Sequence, residues 1–76
     1  MEKIKSGRYQ HYQGKFYAVI GEAHHSETLE EMVVYIALYE TKFGSDSLWV
    51  RPKKMFLEKV KIEDREIPRF QLIAQP

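Results

Sequence analysis

Apolar residues in this chain come in short alternating bursts separated by glycine and proline. From Lys15 to Ala23, Phe16, Ala18 and Ile20 alternate with Tyr17, Val19 and Gly21. Side chains on a strand point to opposite faces in turn, so this segment is predicted to be a strand. A strand at Arg8 to Tyr12 precedes it, and the Gln13-Gly14 turn between them predicts a hairpin. Leu48 to Pro52 forms a further strand, with Leu48 and Val50 expected inward, Trp49 and Arg51 outward, and Pro52 at its end or on an edge. Lys53 to Leu57 fits a single helical turn whose Met55 and Phe56 plug the end of a barrel. Val60 and Ile62, then Ile67, Phe70 and Leu72, supply two more short strands across an Asp64-Arg65 turn, and Pro68 puts the last of them at an edge.

The stretch from Leu29 to Phe43 carries two opposed signals. Thr28-Leu29-Glu30-Glu31 matches a capping box, and Leu29, Met32, Val33, Ile36 and Phe43 have roughly helical spacing. Val33-Val34-Tyr35-Ile36 and Tyr39 are strand-favouring types, and the unbroken apolar run from Met32 to Tyr39 suits a strand buried on both faces. Periodicity alone leaves helix and strand both open here.

Size restricts the possibilities. The chain has 76 residues, enough for one domain, read as a loosely held segment 1–6, a domain over 7–73 and a tail 74–76. Apolar residues make up 43% and aromatics 13%, which is a folded rather than a disordered composition. Without cysteine there is neither a disulfide framework nor a thiolate metal site. Met1-Glu2-Lys3-Ile4-Lys5 leads into no apolar stretch, and no run approaches the roughly 18 residues of a membrane span. The expectation is a cytoplasmic protein with no membrane contact.

The net charge of +1 gives no strong basic signature, but the charges are segregated. Glu22, Glu27, Glu30 and Glu31 fall in a stretch without Lys or Arg, whereas Arg51, Lys53, Lys54, Lys59 and Lys61 face only Glu58. The plain reading is two solvated loops of opposite sign.

Several motifs recur in a fixed order: Gly7-x-Tyr9-x-His11-Tyr12-x-Gly14, Tyr17, His25-Ser26-Glu27-Thr28-x-Glu30, Val33-Val34-Tyr35-x-Ala37-Leu38-Tyr39, Leu48-Trp49-Val50-Arg51-Pro52 with Met55-Phe56, and Pro68-Arg69-Phe70. Together, over about Gly7 to Leu72, they make the chain resemble the bacterial family known as domain of unknown function 1653. His24 departs from the pattern, since many relatives carry Arg there. The resemblance implies a mainly β fold, a small SH3-like barrel or roll of about five or six short strands with one helical turn. It tips Met32 to Tyr39 to strand, makes Glu27 to Glu31 a loop, and implies no activity.

On a strand, Met32, Val34, Ile36 and Leu38 share one face, the expected core, and Val33, Tyr35, Ala37 and Tyr39 share the other. Tyr35, Tyr39, Trp49 and Arg51 would then form a half-exposed surface of the residue types that dominate binding hot spots. Against this stands the demand of a small barrel for aromatic packing, with Arg51 paired to a local glutamate. The function expected is a binding module for an unknown protein or peptide, with His25 and Glu27 as further ligand contacts. It is expected to be a monomer or weak homodimer, to need no cofactor and to have no catalytic residue.

Two alternatives belong to other classes. Arg51, Lys53 and Lys54, within the basic segment 51–61 beside Trp49 and Phe56, suit single-stranded nucleic acid. His11, His25 and Glu27 offer imidazole and carboxylate ligands for a small metal-dependent enzyme, although no spaced metal motif is present. Ser26 or Thr28 with His25 as base lacks an orienting third group, and a hydrogen-bonded turn accounts for these residues.

Overall fold

The computed structural model describes residues 3–75. The expectations of loose ends at residues 1–2 and 76 lie outside them. Seven strands and one helical turn follow in the order β1 (Gly7–His11), β2 (Phe16–His24), β3 (Glu31–Ala37), β4 (Leu48–Pro52), α1 (Lys53–Phe56), β5 (Lys59–Ile62), β6 (Arg65–Pro68) and β7 (Phe70–Ala74). Five form an antiparallel sheet in the order β4-β3-β2-β1-β7, and β5 and β6 pair separately.

The fold is mainly β, as expected, with two differences. There are seven strands rather than five or six, because Pro68 ends β6 and Phe70 begins a separate β7 that pairs with β1. The sheet also does not close into a barrel, since β4 and β7 are its two edges. Phe56 from α1, and not strand closure, covers the core face, packed against Tyr9 and Phe70.

Local chemistry sets the turns. Gly14 has φ of +105°, a conformation that glycine adopts without a Cβ clash, and its N–H donates to the His11 carbonyl at 2.8 Å. Glu63 and Asp64, both at positive φ, form the two-residue loop between the paired Ile62 and Arg65, the turn whose twist matches that of a hairpin. Segment 29–43 contains no helix. Thr28 Oγ1 accepts from Glu30 N in a local turn, and Leu29 has φ of +63°, which breaks a helical path.

The expected inner and outer faces are reversed. Val33 and Ala37 are fully buried and Tyr35 is 4% exposed, whereas Leu48 and Val50 are 63% and 59% exposed. The register explains the arrangement: Val19 opposes Tyr35, Tyr35 opposes Trp49, and Tyr9 opposes Tyr17, so the aromatic alternates share one face. Phe56 and Phe70 stack on that face at 4.3 Å and 4°, joined by Ile4, Tyr9, Val19, Val33 and Tyr35. Large rings meeting rings from α1 and β7 bury more apolar area than the aliphatic alternates would. Met55, expected to plug the end with Phe56, is 44% exposed instead.

Ile4 is buried, with 7% exposure. Its N–H donates to Glu22 Oε2 at 2.8 Å, and Lys53 Nζ meets Glu22 Oε1 at 2.9 Å. Glu22 therefore ties the N-terminal segment and α1 to β2. No helix among the described residues is long and apolar enough to cross a membrane.

Candidate functional site

At the end of the sheet where β1 turns into β2, the core face carries a group of aromatic rings and cations. Tyr17 from β2 packs edge-on against Tyr35 of β3, Phe70 of β7 and Tyr39, with centroids 5.2, 5.5 and 5.6 Å away. The Tyr17 and Tyr39 hydroxyls are hydrogen-bonded at 2.8 Å, and burial together with that bond pushes the Tyr17 phenol well above its usual range. Lys15 Nζ lies 4.5 Å from the Tyr39 ring centroid. The Tyr17 phenol is therefore neutral at ordinary pH.

Arg51 reaches into this group from the edge strand β4. Its Nε donates to the Tyr35 hydroxyl at 3.3 Å, and its guanidinium carbon stands 5.3 Å over the Phe70 ring. The expected pairing of Arg51 with a local glutamate is not made: among the described residues no carboxylate forms an ion pair with it. Arg69, just before β7, does have a partner, Glu58 Oε1 at 2.9 Å from Nη2, but its buried Nε has none.

His11 sits between the two arginines. Its ring packs on Tyr12 at 4.5 Å and Phe70 at 4.9 Å, with Tyr17 at 6.4 Å. Nδ1 accepts from Gln13 N at 3.2 Å, so the neutral ring carries its proton on Nε2. Burial first, then the positive charges of Arg51 and Arg69, lower the His11 pKa from 6.5.

The structure thus brings Tyr35, Tyr39 and Arg51 into one group with His11, Tyr17, Arg69 and Phe70. Trp49 lies beside it, half-buried against the core, with Nε1 donating to Ser47 Oγ at 2.8 Å and its ring 5.6 Å from that of the exposed Phe43. Tyr17, Arg69 and Phe70 were not singled out as site residues from the sequence. The available signal was the β2 alternation that puts Tyr17 on the same face as Val19, opposite Tyr35.

His25 and Glu27 stand elsewhere, in the loop joining the far ends of β2 and β3. His25 Nδ1 accepts from Glu27 N at 3.1 Å and Thr28 N at 3.3 Å, and Leu29 N donates to the His25 carbonyl at 2.8 Å, a turn that holds itself together. The nine residues of β2 separate this loop from His11 by on the order of 25 Å, so the proposed metal set of His11, His25 and Glu27 does not assemble. No group of three or more metal-ligating side chains occurs among the described residues.

The basic segment divides as well. Lys53 is 3% exposed and held by Glu22 and, at 3.8 Å, Glu31, so its ammonium is turned into the protein. Lys54, Lys59 and Lys61 are exposed, while Arg51 points into the aromatic group.

The family model for "Protein of unknown function (DUF1653)" matches residues 7–72. The chain belongs to the DUF1653 family. A crystal structure of a DUF1653 protein from Bordetella bronchiseptica superposes on this domain with a TM-score of 0.83 and 32% identity, over 96% of this chain and 91% of that one. A search of curated proteins finds no match. The family description names no activity for DUF1653 domains.

Proposed function

We propose that this DUF1653 domain is a non-catalytic binding module that recognises a protein segment through Arg51 and the aromatic residues around it. The observation that carries the reading is the guanidinium of Arg51: half-buried, bonded through Nε alone to Tyr35, and without a carboxylate partner among the described residues. A cation so placed retains its two terminal amino groups for a partner, in the planar fork that Arg offers to carboxylates, phosphates and carbonyls. Tyr39, Trp49 and the exposed Phe43 extend the contact with rigid rings of low conformational entropy, the composition typical of binding hot spots. The single-stranded nucleic-acid reading is weakened by Lys53, whose charge is held inside the protein.

Selection of a displayed random-peptide library on the immobilised domain tests the proposal. Enriched sequences are expected to bind the domain and to lose about tenfold in affinity, roughly 1.4 kcal/mol, with Arg51→Ala. Peptides that bind Arg51→Ala and the parent equally well, or no enrichment at all, would count against it.

A further inference from the structure

We infer that the ligand group taken by this site is an anion, a carboxylate or a phosphoryl group, seated against Arg51, with His11 as a proton-linked second donor. The inference rests on the binding module proposed above and names what that module recognises. Its basis is an imbalance of donors and acceptors. Arg51 retains Nη1 and Nη2, His11 retains Nε2–H, Arg69 Nε–H is buried without an acceptor, and the Tyr35 hydroxyl accepts from Arg51 so that its own proton is unassigned. In the Tyr17–Tyr39 pair one hydroxyl proton is likewise uncommitted. Donors left without acceptors around an aromatic group are satisfied by a group rich in acceptors, most strongly by one with negative charge.

The charged and titratable groups around His11 all favour this. Arg51 faces it from β4, Arg69 from the residue before β7, Tyr17 from β2, and Tyr12 follows it in its own turn. No carboxylate among the described residues forms an ion pair with His11, and Glu58 is bound to Arg69. Burial first, and then the two guanidinium groups, favour the neutral imidazole. An anion placed among them reverses the balance, favours the imidazolium and binds more tightly as the pH falls.

The experiment is an NMR titration of the intact domain with sodium acetate and with phenyl phosphate, each against sodium chloride at matched ionic strength, following the Arg51 Nε–H and His11 ring signals. Saturable shifts with acetate, phenyl phosphate or both, absent with chloride, are expected, and the responding probe tells which anion is taken. Affinity for acetate, which stays largely ionised over this range, is expected to rise about threefold or more from roughly pH 7.5 to 5.5, with the His11 titration displaced upward by the saturating anion. Arg51→Gln should abolish the shifts while the dispersed amide spectrum shows the domain still folded. His11→Asn, whose side-chain oxygen preserves the acceptor for Gln13 N, should bind more weakly than the parent and lose the pH dependence. Shifts that follow ionic strength alone, or that survive Arg51→Gln, overturn the inference. If library-selected peptides are uncharged yet depend on Arg51, the anion inference falls and the binding module stands; if no peptide or anion engages Arg51, both fall.

Discussion

A single carboxylate shows how much one residue organises in so small a protein. Glu22 accepts from Ile4 N and meets the buried Lys53 ammonium, and these two bonds, the Lys53 contact first, draw its pKa below 4.5. A carboxyl group whose folded pKa is depressed contributes stability above its unfolded pKa and loses it as the pH falls through the folded value. Urea unfolding at pH 6 and pH 3 is therefore expected to show a larger loss on acidification for the parent than for Glu22→Gln; equal losses would remove Glu22 from the account. The two partners are not equivalent. Glu22→Ala leaves the Lys53 charge buried with only the longer contact to Glu31, whereas Lys53→Met replaces it with an apolar chain of similar length. Glu22→Ala is expected to lower the urea midpoint more than Lys53→Met. His11 acts in the same direction as Glu22 at a higher pH. Its lowered pKa means that the unfolded chain takes up the proton first, so stability declines as the pH drops below about 6.5. His11→Asn should flatten that decline.

At the scale of elements, the alternation in β2 and in Leu48 to Pro52 located strands correctly, because period-two patterning and flanking Gly and Pro are local signals. Which face of β3 turns inward was not local. Val33 and Tyr35 compete with Val34 and Ile36, and both sets are apolar; Phe56 on α1 and Phe70 on β7 decide between them, from positions 21 or more residues downstream of Tyr35. The same reversal gathered the candidate site, since Tyr17 and Phe70 reach Arg51 only if the aromatic alternates face inward. Two substitutions discriminate the faces. Phe56→Ala, at 2% exposure in the ring stack, is expected to cost about 3–5 kcal/mol, while Leu48→Ala, at 63% exposure, should change stability by about 0.5 kcal/mol or less. Chemical denaturation of both variants measures the contrast, and comparable losses would argue against the assigned faces. Gly7 makes a separate demand. Its φ is +143° and a Cβ there would stand 2.4 Å from the Ala74 carbonyl oxygen, so Gly7→Ala should cost about 2 kcal/mol or more and loosen β7 from β1 in hydrogen exchange.

For the whole molecule, the strand order joins the two ends of the described chain. β1 to β4 form a meander in which each strand pairs with the next, and β7 returns to lie beside β1, with Arg8 opposite Ala74. The chain is thus closed through backbone hydrogen bonds, although its sheet is open. A few glycines and serines linking position 75 to position 3 would complete the ring covalently, and the exposed Ser45-Asp46 step offers a place to open it. The resulting circular permutant is expected to keep the parent's amide spectrum. With Gly7 beside Ala74 and Gln75, the start of β1 and the end of β7 lie together, so the fold can sit as an insert within a loop of another protein and present Arg51 and its aromatic neighbours there.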